Sequence, residues 1–387
     1  MPIKILSVDD ESDLELLLTQ YFRRKIRKGE YEFHFAHNGL EALTMLLKEK
    51  DYDIILSDIN MPEMDGLTLL TKVNEMRNPA LKCIMVSAYG DMGNIRQAMN
   101  NGAFDFATKP IDLDDLSLTI EKAIQQIAYI RQMEAEHSQL VSIKDDLAVA
   151  SQIQQAILPR IFPPFPENAA QMDIAASMHA AKDVGGDFYD FFRIDNDRIG
   201  FVIADVSGKG VPAAIFMAVS RTLLRATGIK GVTPSECLSY TNNLLANESV
   251  NSMFVTVFYG IYNILTGDVT YCNAGHNPPY IIKTDGQVER LPNSRDFVVG
   301  GIEGFQYQES QLQLKHGESL FLYTDGVPEA INTALEDFTE ARLEACLKKQ
   351  TESSCAQQIT AVKAALEAFV GDAEQSDDIT MLSIKRL

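Results

Sequence analysis

At 387 residues, 46% of them hydrophobic and 23% charged, the chain has the length and apolar content for two or three packed domains. Its formal net charge of −20 argues against nucleic acid as the main partner, because that affinity rests on cationic contacts to phosphates. No apolar run approaches the roughly 18 residues of a membrane span. The five cysteines (Cys83, Cys237, Cys272, Cys346 and Cys355) form no CxxC pair, a usage expected of reduced thiols in a cytoplasmic protein.

The opening run Ile3–Val8 reads as a strand rather than a targeting peptide. Further strands are expected at Tyr31–Ala36, Asp53–Ser57, Lys82–Ser87 and Phe104–Ala107, with amphipathic stretches such as Ser12–Arg27 and Leu40–Glu49 between them. This strand–helix alternation predicts a parallel sheet covered on both faces, a doubly wound α/β domain. From Asp112 to Leu158 apolar residues recur every three or four positions (Leu116, Ile120, Ile127, Met133, Leu140, Ile143, Ile153, Ile157), with no Gly or Pro before Pro159. So long and thinly striped a segment predicts a helix continuing into a coiled coil, the alternative being two helices with an unmarked break. Pro159 and the run Pro163-Pro164-Phe165-Pro166 end it. Helices are expected at Val211–Thr227, with Pro212 in its first turn, at Pro234–Ala246 and within Leu335–Val370. Phe254–Asn263, Asp268–Asn273, Ser319–Tyr323 and Ile379–Ile384 read as strands. Grouped strands and helices suggest an α+β sandwich.

Two acidic sets stand out. In the N-terminal part, Asp9 and Asp10 follow the first strand, Asp58 the third, Ser87 the fourth and Lys109 the fifth. In a parallel sheet all five meet at the carboxyl edge. Three carboxylates can hold one Mg²⁺, and an ammonium can offset charge on a phosphoryl group carried by Asp58. In the C-terminal part Asp187, Asp205, Asp325 and Asp377 each sit beside turn-like residues at the edge of a short apolar run (VGGDFYD, IADVSGKG, LYTDGVPE, SDDITMLSI). Taken singly they could be surface turns, which favour Asp and Gly. Brought together they would repel one another unless cations neutralised them, which is the requirement of a two-metal hydrolytic site.

With its full strand-end set, including LSDINMPEMDG, the N-terminal region resembles a response-regulator receiver domain of flavodoxin-like topology. That resemblance implies Asp58 as phosphoacceptor, a Mg²⁺ bound by Asp10, Asp58 and the Asn60 carbonyl with Asp9 supporting, phosphoryl contacts from Ser87 and Lys109, and Phe106 as the aromatic switch. It also implies a sensor histidine kinase as partner.

The ordered stretches ASQIQQAILP, VGGDFYDFF, IADVSGKGVPAAIFMA, FVTVFYG, NAGHNPPYI, LYTDGVPEA and SDDITM resemble the bacterial PPM (PP2C-like) serine/threonine phosphatases of the SpoIIE and RsbU type. By that resemblance Asp205 bridges two Mg²⁺ or Mn²⁺ ions and the Val206 carbonyl adds a ligand. Asp187 belongs to one ion, and Asp325 and Asp377 to the other. Lys182 is carried over as a phosphate contact, and Ser207 stands where many eukaryotic relatives have a histidine. His276 is read as a structural turn residue and Lys209 as exposed. The whole is expected to comprise a receiver (1–122), a helical coiled-coil linker (123–158) and a PP2C-like sandwich (159–387). It would be a cytoplasmic homodimer gated by phosphorylation at Asp58 and acting on a phosphorylated STAS-type anti-sigma-factor antagonist. A non-catalytic adaptor with a PP2C-like binding domain is the competing expectation.

Overall fold

The computed structural model describes residues 2–387 apart from 50, 89–90, 163, 249–251 and 294. Pro163 of the helix-ending run thus lies outside the described residues. Two compact units divide between residues 143 and 144.

The first unit holds β1 (Ile3–Val8), α1 (Ser12–Tyr21), α2 (Arg23–Arg27), β2 (Tyr31–Ala36), α3 (Gly39–Lys48), β3 (Ile54–Asp58), α4 (Gly66–Glu75), β4 (Lys82–Ala88), α5 (Met92–Asn100), β5 (Asp105–Lys109) and the start of α6 (Leu113–Ile157). The strands form a parallel sheet of order β2-β1-β3-β4-β5. Every residue of β3 is buried, as a strand covered on both faces requires. Its alternation decides what each face packs against. Ile55 joins Ala42, Leu46, Leu69 and Leu70 of α3 and α4, while Ile54 and Leu56 join Leu18, Leu116, Ile120 and Ile127 of α1 and α6. The strand between the two halves of the sheet thereby delivers Asp58 to the carboxyl edge. Gly66 is required there, since a Cβ on it would collide with the Asp58 carbonyl, and Asp65 before it caps α4 by accepting from the Thr68 amide at 2.7 Å.

Helix α6 runs unbroken for 45 residues, which settles the linker question in favour of one helix. Ala123 and Ile127 are buried with the receiver core, and Leu158, just past its end, is buried in the core of the second unit. Between these, Met133, Leu140, Ile143 and Ile153 remain exposed. No helix among the described residues is long and apolar enough to cross a membrane.

The second unit contains β6 (Met172–His179), β7 (Phe188–Arg193), β8 (Arg198–Val206), α7 (Val211–Gly228), α8 (Pro234–Glu248), β9 (Val255–Asn263), β10 (Asp268–Ala274), β11 (Tyr280–Ile282), β12 (Val288–Arg290), β13 (Ser310–Gln313), β14 (Ser319–Tyr323), α9 (Thr339–Leu347), α10 (Cys355–Val370) and β15 (Ile379–Arg386). Two antiparallel sheets result, β13-β10-β9-β8-β7 and β12-β11-β14-β15-β6. Helices α7 and α8 cover the first, and α10, with α9 against it, covers the second. The period of two in β14 shows why the sheets stack. Leu320 and Leu322 point into the core shared with Phe201 and Phe258 of the first sheet, while Phe321 and Tyr323 pack with Leu343, Val362 and Leu366 of the helices.

Candidate functional site

In the receiver, the sheet edge assembles the whole acidic set. Asp9, Asp10 and Asp58 each offer a carboxylate oxygen, all within 4.8 Å of one another. The Lys109 ammonium lies 2.7 Å from Asp58 and 2.9 Å from Asp9. Burial works against its charge, but the hydrogen bonds to Asp58 and Asp9 outweigh this and hold its pKa above the ordinary value. Asp9 is raised, first by its burial. Ser87 is fully buried at the end of β4, Asn60 is exposed with its amide 3.3 Å from an Asp58 oxygen, and Phe106 is half-buried against the α3/α4 side of the core. Three oxygen donors around one point fit a hard divalent cation such as Mg²⁺.

The second acidic set meets for a topological reason. β7 and β8 are antiparallel with Phe188 opposite Ala204, so Asp187, just before β7, and Asp205, near the end of β8, share one sheet edge. β14 and β15 are antiparallel with Tyr323 opposite Met381, so Asp325 and Asp377 share an edge of the other sheet. Cross-sheet hydrogen bonds join the two edges. The Thr324 hydroxyl donates to Asp187 at 2.7 Å. Asp378 accepts from the amides of Ala181 at 2.8 Å and Gly186 at 2.6 Å. The glycines of two motifs make room for this, because a Cβ on Gly185 would strike the Asp378 carboxylate and one on Gly326 its carbonyl.

The result is a crowded, partly desolvated group of carboxylates. Burial, then the charge of Asp205, pushes Asp187 well above the usual carboxylate range. Burial, then Asp325, pushes Asp205 up to about 7. Asp325 is raised by burial and by Asp377. Among the described residues one ammonium faces the group: Lys209 lies 2.8 Å from Asp377 and donates to the Ser376 carbonyl. One buried and three half-buried carboxylates thus face this single ammonium, a donor type that suits divalent ions, though among the described residues only Asp9, Asp10 and Asp58 bring three ligand oxygens within 4.8 Å of one another. Val206, beside Asp205, is buried. Lys182 is exposed on the loop before Asp187 and makes no ion pair among the described residues.

Several contacts at the site are not named by sequence reasoning. Gln154 of α6, only 7% exposed, clamps the loop that carries Asp187: its amide donates to the Gly185 carbonyl at 2.6 Å and its carbonyl oxygen accepts from the Gly185 amide at 3.0 Å. The available signal is a glutamine at i+4 from Ala150 and i−4 from Leu158, where the helical stripe calls for an apolar residue. Asp190, fully buried, holds Arg221 at 3.0 Å and Arg225 at 2.6 Å, fastening β7 to α7. Lys209 is half-exposed, as its position suggests, yet it is engaged with Asp377. His276 bonds to Thr256, which pairs with Asp205 across β8 and β9, at 2.9 Å. Burial pushes the His276 pKa down to about 3, so the ring is neutral at physiological pH.

These two sites on these two folds define a receiver joined to a PP2C-like output domain. Residues 5–121 match the response regulator receiver domain family, and residues 195–387 match the family of stage II sporulation protein E (SpoIIE). It is 31% identical over 268 residues to protein IcfG of Synechocystis sp., covering 62% of this chain and 41% of that protein. It is 29% identical over 244 residues to phosphoserine phosphatase RsbU of Bacillus subtilis, covering 63% of this chain and 71% of that one. The chain therefore spans less than half the length of IcfG. The SiaA-PP2C domain of Pseudomonas aeruginosa shares the fold of the second unit, with a TM-score of 0.56 at 24% identity, over 64% of this chain and 98% of that one.

Proposed function

We propose that this chain is a two-component response regulator whose output is a metal-dependent protein serine/threonine phosphatase. The carrying observation is the convergence of Asp187, Asp205, Asp325 and Asp377 from four separate strand ends into one partly buried acidic group. Two Mg²⁺ or Mn²⁺ ions held there would activate a water molecule and offset charge on the phosphate oxygens. Asp205 would serve both ions, Asp187 one of them and Asp325 and Asp377 the other, and the Val206 carbonyl would add a donor. Thr324 orients Asp187. Asp378, its carboxylate occupied by backbone amides, shapes the loop instead of binding metal. Lys182 is free to meet substrate phosphate from outside.

The receiver would regulate this centre. Asp58 would accept the phosphoryl group from a sensor histidine kinase; Asp9, Asp10, Asp58 and the Asn60 carbonyl would hold the Mg²⁺, and Ser87, Lys109 and Phe106 would respond to the added charge. Helix α6 is the route outward, since Gln154 grips the Asp187 loop. The exposed stripe at Met133, Leu140, Ile143 and Ile153 supports parallel pairing with a second copy. The proposed substrate is a phosphorylated STAS-type anti-sigma-factor antagonist, a reading that rests on the resemblance to the SpoIIE and RsbU type.

The test is Mn²⁺-dependent hydrolysis of p-nitrophenyl phosphate by the full chain and by Asp205→Ala, each with and without beryllofluoride. Hydrolysis should need Mn²⁺ and Asp205, and beryllofluoride should change the wild-type rate. Equal, metal-independent rates in both proteins would leave the adaptor reading in its place.

A further inference from the structure

Beside the acidic group lies a cleft of about 350 Å³ that the metal chemistry does not use. Its floor is apolar, built from Ile331, Leu366, Val370, Ile379 and Met381, between α10 and the loops before and after the sheet. Its wall is shared with the centre itself. Gly326, next to Asp325, and Asp377 both line it. The Lys363 ammonium meets the His179 ring at 2.9 Å, and with the exposed Glu367, Glu374, Gln375 and Ser376 it makes a polar rim around the apolar floor.

We propose that this cleft receives an aliphatic side chain from the segment of the substrate protein next to its phosphoserine. The inference rests on the phosphatase reading above. Three features point to that occupant. The cleft is continuous with the carboxylates that would face the phosphate, so a residue one or two positions away, at roughly 3.3–3.6 Å per residue, reaches it while the phosphoserine is engaged. Its apolar floor offers dispersion contacts, and the carboxylates of Glu367, Glu374 and Asp377 that also line it disfavour an acidic occupant. Its volume of about 350 Å³ admits a leucine-sized group at the surface of a folded partner. Specificity is thereby separated from chemistry: the acidic group acts on any phosphomonoester, and the cleft selects the flank.

The test compares two phosphoserine peptides that differ only in carrying leucine or aspartate at the positions flanking the phosphoserine. Wild type should favour the leucine peptide by about tenfold in kcat/KM, the factor supplied by burying part of one aliphatic side chain. Ala373→Trp places an indole in the cleft from a partly buried turn and should bring the two peptides to within about twofold. Ala373→Arg should do the same or reverse the order, its guanidinium attracting the aspartate. Because each preference is a ratio within one protein, a general loss of activity cancels. Equal use of both peptides by wild type, or an unchanged preference in both variants, overturns the proposal and assigns the cleft to another occupant such as a small apolar effector. If wild type fails to hydrolyse p-nitrophenyl phosphate, the phosphatase reading fails separately. Fluorescence anisotropy of the two labelled peptides then decides the cleft: tighter binding of the leucine peptide supports it, and equal binding sinks it.

Discussion

Asp205→Asn should stabilise the metal-free protein at alkaline pH while removing its response to divalent cations. The Asp205 carboxyl is pushed up to about 7 by burial and by the neighbouring Asp325, whereas in an unfolded chain it titrates near 3.9. A shift of roughly 3 pH units corresponds to ~4 kcal/mol between the two protonation states. A raised folded pKa means the native state holds this proton more tightly than the unfolded chain does. Stability from this group is therefore complete below about pH 4 and is lost as pH rises through about 7. Asparagine removes the charge and keeps the shape. Because Asp187 and Asp205 share the repulsion, one substitution relieves part of it, for an expected gain of about 1–3 kcal/mol at pH 8, less at pH 5 and none near pH 4. Urea denaturation in EDTA at these pH values reads the gain directly. Adding Mn²⁺ should stabilise the wild type at pH 8, because an ion that binds only the folded state shifts the equilibrium toward it, and should leave the variant nearly unchanged. A variant less stable than wild type in EDTA at pH 8 would falsify the claim that these carboxylates are held together against their own repulsion.

The adjacent aspartates of the SDDITM motif should separate by phenotype. Asp378→Ala strands the amides of Ala181 and Gly186 and should destabilise the fold by about 2–4 kcal/mol in urea melts. Asp377→Ala breaks a half-exposed pair with Lys209 and a hydrogen bond from the Asp378 amide, so stability should fall by about 1 kcal/mol while Mn²⁺-dependent hydrolysis is lost. Gln154→Ala leaves both polar groups of Gly185 without their partner and should cost about 1–3 kcal/mol; loosening the Asp187 loop should also weaken Mn²⁺ binding about three- to tenfold by isothermal titration calorimetry. Unaltered Mn²⁺ affinity in that variant would remove Gln154 from the proposed route between helix and metal loop.

Much of the architecture was legible in the linear pattern. Ile3–Val8, Tyr31–Ala36 and Ser319–Tyr323 are strands with the expected bounds, because local alternation and buried apolar runs carry their own signal. The long helix was equally open to reading, since absence of Gly and Pro over so many residues leaves little else. The extent of its burial was not. Periodicity marks an apolar stripe but not what covers it, and the stripe lies against the receiver core as far as Ile130 and the helix is buried again from Gln154, with an exposed stretch between.

At the acidic sites the division is similar. The sequence by itself determined which carboxylates exist, the motifs that contain them and the strand ends they occupy. It could not show that the Asp378 carboxylate accepts from backbone amides of a loop almost two hundred residues earlier. Nor could it place Lys209 on Asp377, Thr324 on Asp187 or Gln154 on Gly185. Those contacts arise only when two antiparallel sheets stack and bring four strand ends to one edge. Hydrophobic pattern specifies the strands and their faces; long-range packing alone specifies which polar groups meet once the faces close.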